Sequence, residues 1–237
     1  MRIMIIGYGR MGKMIEEAAK ADGMEIGAVI DVENIGDLKN ITERFDVVFD
    51  FSSPSSLHDV SAFIKKTGSP YLCGCTGHNT RQNELIESLG QYAPVIHAAN
   101  YSLGVAVVKR ALEMMTPVLR DSFDIEIMET HHNQKVDAPS GTAYLLAEAI
   151  DPDHEYELVY DRHDIKGKRG KNEIGMVSRR GGNCSGEHTV SFFGEDEVIE
   201  VVHKATSRRI FVNGAIKVSK VLKDKPNGYY TIEQILF

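Results

Sequence analysis

The 237-residue sequence has no tryptophan, only three cysteines and seven prolines, and no excess of positive charge. Three cysteines (Cys73, Cys75 and Cys184) cannot all pair, and none has zinc-like spacing with a neighbouring ligand, so neither a disulfide framework nor a metal site is expected. Twenty-seven Lys and Arg against 34 Asp and Glu leave a net charge of −7. That balance argues against a general nucleic-acid binder or an anionic-membrane binder. No apolar run reaches the roughly 18 residues of a membrane span. The opening run Met1-Arg2-Ile3-Met4-Ile5-Ile6 stops at a glycine with no small-residue cleavage site after it. A reducing cytoplasm is the expected compartment. What is present is core material: 42% hydrophobic and 26% charged residues, enough for one large domain or two modest ones.

Over the first hundred residues, short apolar runs alternate with amphipathic stretches. Strands are predicted at residues 2–6, 25–30, 46–51, 71–73 and 94–98, with helices at 12–21, 55–67 and 80–92. Apolar strands separated by helices mean βαβ units and a doubly wound parallel α/β domain of Rossmann type. The texture changes after Asn100. A helix over 103–119 is followed by a strand at 124–129 that alternates polar and apolar, then a short helix at 140–150. Strand-like runs follow at 156–160, 173–178, 188–193 and 197–203. Gly194-Glu195-Asp196 reads as a hairpin turn. Strands without intervening helices imply an α+β domain with a mixed, mostly open sheet. A final helix near 208–222 is placed to return to the first domain. Seven basic residues (Arg162, Lys166, Lys168, Arg169, Lys171, Arg179, Arg180) against Asp164 and Glu173 suggest a solvated, mobile loop; the sharper alternative is a basic arm reaching an anionic ligand across a subunit boundary.

Gly7-Tyr8-Gly9-Arg10-Met11-Gly12 is a G-x-G-x-x-G between a predicted strand and a predicted helix, the context dinucleotide binding requires. Gly7 permits a tight turn, Gly9 a close approach of backbone N–H groups to a pyrophosphate, and Gly12 close helix–strand packing. The helix N-terminus then holds the phosphates. Asp31 closes the second strand, where a carboxylate binds ribose hydroxyls and repels a 2′-phosphate, with Val32 rather than arginine beside it. NADH is therefore expected to be preferred or fully accepted. NADPH is tolerated if Lys39 and Arg44 fold near enough to offset its phosphate. Gly74-Cys75-Thr76-Gly77 and Ala98-Ala99-Asn100-Tyr101 follow strands at the carboxyl edge, either as further cofactor loops or as ordinary turns.

His131-His132-Asn133-Gln134-Lys135 is the densest ionisable cluster and directly follows a strand. Adjacent histidines on an extended chain face opposite ways, so only one need be catalytic. Val136-Asp137-Ala138-Pro139-Ser140-Gly141-Thr142 leads into a helix for which Ser140 is a good N-cap, a ready carboxylate site. The whole reads as an electropositive pocket in an acidic protein. His58, His78, His154 and His163 read as surface or packing residues.

The glycine-rich opening, Gly74-Cys-Thr-Gly, Ala98-Ala-Asn-Tyr-Ser-Leu-Gly, Glu129-Thr-His-His-Asn-Gln-Lys, Asp137-Ala-Pro-Ser-Gly-Thr, Gly186-Glu-His and His203-Lys-Ala-Thr-Ser-Arg stand in the order and spacing of a known family. From about residue 3 to about residue 237 the chain closely resembles the 4-hydroxy-tetrahydrodipicolinate reductase (dihydrodipicolinate reductase) family of bacterial lysine biosynthesis. The resemblance implies a dinucleotide domain of residues 1–102 and 209–237, a substrate and oligomerisation domain of residues 103–208, and a homotetramer. It implies hydride delivery from NADH or NADPH to a cyclic imine dicarboxylate. By position, His131 and Lys135 match the catalytic pair. His132, Lys135, Gly141 and Thr142, with Ser140 beside them, match substrate contacts. Gly7, Tyr8, Gly9, Arg10, Met11, Gly12, Asp31, Gly74, Cys75, Thr76, Ala98, Ala99, Asn100 and Tyr101 match cofactor contacts.

The chain departs from the family pattern at Asn133 and Gln134, where many members carry arginine and histidine. Its first glycine loop is one residue shorter than the common form, and it is trimmed after Asp31 and around residues 150–157. An imidazole suits reversible proton transfer and an ammonium a permanent charge, which assigns His131 to the proton and Lys135 to electrostatic stabilisation. Two other readings share the dinucleotide motif: a small amino- or imino-acid dehydrogenase such as an aspartate dehydrogenase, and a non-catalytic NADH-binding regulator.

Overall fold

The computed structural model describes all residues, Met1–Phe237. They divide into two compact units, Met1–Ser102 with Arg209–Phe237, and Leu103–Arg208.

The first unit is built on six strands: β1 (Arg2–Ile6), β2 (Glu25–Ile30), β3 (Val47–Asp50), β4 (Tyr71–Cys73), β5 (Pro94–His97) and β11 (Gly228–Tyr230). Their spatial order is β11-β5-β4-β3-β1-β2, and every pairing is parallel. Parallel strands need helical crossovers, which cover both faces, so strand residues must be apolar on both sides. Strand β1 shows this: Met4 and Ile6 enter one core, with Val60, Phe63 and Ile64 of α2 (Leu57–Thr67) and Ile86 of α3 (Thr80–Ser88). Ile3 and Ile5 enter the other, with Ile15 and Ala19 of α1 (Arg10–Ala21) and Val212, Ala215, Val218 and Leu222 of α6 (Arg209–Leu222). The order reverses between β1 and β3. In an open parallel sheet that switch point, at the carboxyl ends of the strands, is where ligands bind.

The second unit has a mixed sheet in the order β10-β9-β6-β8-β7, from β6 (Asp124–His131), β7 (Glu157–Val159), β8 (Glu173–Arg180), β9 (Glu187–Phe193) and β10 (Val198–Lys204). Strand β6 runs parallel to β8 and antiparallel to β9. One face carries Ile125, Ile127, Ile174, Met176, Val190 and Phe192, buried with Leu112 of α4 (Leu103–Leu119) and Leu146 and Ile150 of α5 (Gly141–Ile150). The opposite face is open, as its half-exposed row Val177–Met128–Thr189–Val202 shows.

Three sequence expectations need correction. Strand β6 runs two residues past Glu129, which puts His131 on the strand itself. The basic stretch is not a uniformly solvated loop: Arg179 and Arg180 end β8, Arg162 pairs with Glu173, and Arg169 pairs with Asp124 at 2.9 Å and Glu126 at 3.3 Å. Strand β11 and the terminal helix α7 (Ile232–Leu236) were not anticipated. Both are too short to show a period, and β11 is defined by its pairing with β5.

Candidate active site

In the first unit, Gly7 follows β1 with φ +85°, and a Cβ there would lie 2.5 Å from the Ser52 backbone nitrogen. A Cβ at Gly12 would lie 2.1 Å from the Gly7 carbonyl oxygen. Folding therefore requires both glycines. Gly9 is different: a Cβ there meets nothing within 4 Å, so the fold itself does not ask for glycine. Gly9 is the N-cap of α1, and no side chain caps that helix, which leaves its N-terminal dipole and N–H groups facing open space. Arg10 is exposed there, while the Tyr8 hydroxyl donates to Glu16. A dinucleotide pyrophosphate fits this cradle.

Asp31 follows β2 and is exposed, its Oδ1 accepting from the Val32 N–H at 2.8 Å. Arg44 precedes β3, and its Nε donates to the Gly68 carbonyl at 3.1 Å. Gly68 caps α2 just before β4, so Arg44 sits at the amino edge of the sheet, opposite the edge that carries Asp31. The Lys39 carbonyl is likewise tied to Lys66 of α2. Arg44 is therefore not beside Asp31 to neutralise a 2′-phosphate.

The remaining loops also gather at the carboxyl edge. A Cβ at Gly74 would strike the Phe51 ring at 2.2 Å. The Cys75 thiol is buried and donates to Asp50 Oδ1 at 3.2 Å, and the Tyr101 hydroxyl is buried and donates to the Cys73 carbonyl at 2.7 Å. Cys75 and Tyr101 thus turn their side chains into the fold and hold these two loops against the sheet edge. Thr76 and Ala99 are exposed, Ala98 is half-buried, and Asn100 accepts from the Ser102 N–H at 2.8 Å.

In the second unit, alternation along β6 turns Ile125, Ile127, Glu129 and His131 inward. Register then sets Glu129 opposite Ser178 on β8 and His188 on β9, and His131 opposite Arg180. Glu129 is wholly buried. It takes a bidentate pair from Arg180, both bonds 2.8 Å, together with the Ser140 N–H at 3.2 Å and the His131 Nδ1–H at 2.6 Å. Burial alone raises a carboxyl pKa, but the Arg180 guanidinium and the His131 ring outweigh it and hold Glu129 at about 2.

That carboxylate fixes the His131 tautomer, with the proton on Nδ1 and the lone pair on Nε2. Burial lowers the His131 pKa below the usual imidazole value, an effect only partly offset by Glu129. The His188 ring stands edge-on to His131 at 5.2 Å, and its Nε2 bonds the Ser140 hydroxyl at 2.9 Å. Burial, then the neighbouring His131, push His188 down to about 4, so it is neutral near pH 7. Ser140 caps α5 by accepting from the Ala143 N–H. His131, Ser140 and the start of α5 are thereby locked together through Glu129 and His188. Gly186, at φ +145°, makes room for the His131 ring, since a Cβ there would lie 2.9 Å from Nε2.

Lys135 leaves the strand and grips Asp137 through both carboxylate oxygens, at 2.8 and 2.9 Å. His132 is half-buried with Nε2 3.3 Å from Arg208. The expected electropositive pocket is therefore weaker than residue type suggests, because Lys135 and Arg180 each carry a carboxylate partner. Arg208, the free face of Lys135 and the start of α5 remain to attract an anion. A Cβ at Gly141 meets nothing within 4 Å, so space rather than packing explains its small side chain. Glu129, Arg180, His188, Asp137 and Arg208 are functional candidates that residue-by-residue reading did not select. Register and folding bring Arg180 and His188 to Glu129 and His131, and set Arg208 beside His132.

The family described as "Dihydrodipicolinate reductase, N-terminus" matches residues 1–101, and "Dihydrodipicolinate reductase, C-terminus" matches residues 104–236. The chain is 40% identical over 238 residues to the 4-hydroxy-tetrahydrodipicolinate reductase of Exiguobacterium sp. (strain ATCC BAA-1283 / AT1b), covering 99% of this chain and 95% of that one. It is 39% identical over 247 residues to that of Staphylococcus carnosus, covering 99% of each. These two relatives are close to it in length. Among solved structures, a dipicolinate-bound dihydrodipicolinate reductase from Paenisporosarcina sp. TG-14 superposes with a TM-score of 0.79 at 19% identity, covering 100% of this chain and 99% of that one. This last likeness establishes shared fold, and the two preceding ones establish kinship: the chain belongs to the dihydrodipicolinate reductase family.

Proposed function

We propose that this chain reduces 4-hydroxy-tetrahydrodipicolinate to tetrahydrodipicolinate, the step its family serves in lysine and diaminopimelate biosynthesis. The enzyme is an NAD(P)H-dependent oxidoreductase. Residues 1–102 and 209–237 form the dinucleotide domain in this reading, and residues 103–208 the substrate and oligomerisation domain. The observation that carries the reading is the buried Glu129 carboxylate holding His131 in one tautomer, four residues before Lys135 and beside the N-cap of α5.

The reduced nicotinamide supplies a hydride when bound. The chain must then do two things: hold a dianion and supply a proton as electrons move toward the ring nitrogen. Gly141 and Thr142, at the start of α5, and Lys135 hold carboxylates. To do so Lys135 exchanges Asp137 for a substrate carboxylate. His131 offers Nε2 for the proton, and its Nδ1–H bond to Glu129 stabilises the charged ring as it forms and discharges. His132 and Arg208 add polar contacts at the rim. Proton donation of this kind is worth roughly 10² to 10⁴ in rate.

The test is a coupled assay in which a synthase generates the unstable substrate and absorbance of NADH or NADPH is followed with the purified protein. Substrate-dependent oxidation supports the reading. Oxidation of aspartate without reduction of the dipicolinate precursor, or dinucleotide binding without turnover, overturns it.

Asp31 and the placement of Arg44 lead to a preference for NADH, or at least its full acceptance. The expected kcat/KM with NADPH is no more than about tenfold above that with NADH, a bound of about 1.4 kcal/mol. A larger ratio in the same assay contradicts the role of Asp31. Replacing Gly141 by valine is expected to raise KM for the imine more than it lowers kcat, because it obstructs ground-state binding where the fold leaves room. A fall in kcat at unchanged KM refutes that role.

A second copy of the chain is the natural occupant of the open sheet face, where Met128, Val177 and Val202 are 39%, 47% and 45% exposed in adjacent register positions. This supports a homotetramer. Three free thiols suit a reducing cytoplasm, and no helix is long and apolar enough to cross a membrane.

A further inference from the structure

The carboxyl edge of the first unit carries a group of side chains that neither the dinucleotide reading nor the proton chemistry uses. Register pairs Cys73, the last residue of β4, with His97, the last residue of β5. Paired residues of neighbouring strands project to the same face. His78, four residues beyond Gly74, folds back edge-on to His97 with ring centroids 5.1 Å apart. One ligand atom from each of Cys73, His78 and His97 lies within 4.8 Å of the others.

The hydrogen bonding of these groups is that of a site rather than of a packed core. His97 places Nε2 3.0 Å from the Cys75 carbonyl. A carbonyl only accepts, so Nε2 carries the proton and Nδ1 keeps its lone pair, the arrangement a metal-bound imidazole shows. The Nδ1 of His78 is buried with no hydrogen-bond partner, an orphaned polar atom of the kind folding normally avoids. Asp50, a carboxylate neighbour of Cys73, has already spent its oxygens on Ser52, Cys75 and Tyr71.

We infer that Cys73, His78 and His97 form a binding site for a borderline divalent cation of the zinc class, with three protein ligands and one open position. Thiolate and imidazole are the donors such ions select, and oxygen-seeking magnesium or calcium is not accommodated. Tetrahedral bonds of about 2.0 to 2.3 Å set ligand atoms roughly 3.3 to 3.6 Å apart. Ligand atoms up to 4.8 Å apart must therefore close by up to about 1.2 to 1.5 Å, achieved by rotation of the two half-buried rings. On binding, the Cys73 thiol releases its proton to solvent and the sulfur donates a lone pair to the metal. Spacing along the chain hid this group, because its members come from two strand ends and a loop.

Titration of the reduced protein with Co²⁺ under anaerobic conditions tests it directly. One equivalent is expected to produce a thiolate-to-cobalt charge-transfer band with tetrahedral visible absorption, both bleached by Zn²⁺. Cys184→Ser leaves the band unchanged, Cys73→Ser abolishes it, and His78→Asn or His97→Asn weakens Co²⁺ affinity at least tenfold. The two histidine variants alter half-exposed side chains and keep the test decisive even if Cys73→Ser fails to fold. Absence of the band from the unsubstituted protein overturns the site, as does its loss on Cys184→Ser or its persistence at full affinity in both histidine variants.

Discussion

Replacing either His131 or Lys135 by alanine is expected to lower turnover at least a hundredfold while NADH still binds, a loss of about 3 kcal/mol or more of transition-state stabilisation. The two losses differ in kind. Without His131 the proton has no positioned donor, so kcat falls with little change in KM. Without Lys135 a carboxylate loses its counter-charge, so KM rises as well. The pH profile separates the roles further. Burial sets the His131 pKa below 6.5, so a step that uses the protonated ring slows as pH rises through a value below 6.5. That limb is expected to vanish in His131→Gln. Steady-state kinetics over pH, with dinucleotide affinity measured separately, checks both variants. Wild-type turnover in either one removes that residue from the mechanism.

Loss of the Glu129 carboxylate is expected to have the largest effect on stability. Glu129→Ala strands the Arg180 guanidinium and leaves the Ser140 and His131 N–H groups without their acceptor. Breaking a buried pair from one side costs roughly 3–5 kcal/mol. Partial exposure of Arg180 sets the expectation at the lower end, about 3 kcal/mol. The folded-state pKa of about 2 lies below the usual 4.5, so the stabilisation is present above the unfolded value and is lost as pH falls from 4.5 toward 2. Denaturant unfolding followed by circular dichroism, at pH 7 and in acid, checks this. A difference between wild type and Glu129→Ala that is small at pH 7, or that grows toward acid, contradicts the assigned ionisation. Combining Glu129→Leu with Arg180→Met removes both charges and is expected to recover much of the loss.

Much of the first unit was readable because parallel strands buried on both faces must be apolar runs, and each run there is bounded by glycine or by a helix. Arg2–Ile6, Glu25–Ile30 and Tyr71–Cys73 fall where the runs place them. Strand β11 escaped because three residues carry no period, and its place comes from Pro94–His97 beside it. His131 and Lys135 were visible as residue types clustered after a strand. Glu129 stood in the same motif, but its partners Arg180 and His188 lie 51 and 59 positions away and meet it only through register. Arg180 was hidden further by a basic run that looks like a solvated surface. The Lys135–Asp137 pair shows the limit of counting charges, since a carboxylate two residues away already occupies the lysine that an incoming anion would use.

The most direct single measurement is a crystal structure with reduced dinucleotide and a planar pyridine dicarboxylate bound together. One carboxylate is expected on the N–H groups of Gly141 and Thr142, the other on Lys135 in place of Asp137, and His131 Nε2 facing the ring within reach of a proton transfer. A dicarboxylate seated elsewhere, with His131 and Lys135 both turned from the nicotinamide, would contradict the assignment of these two residues to the chemistry.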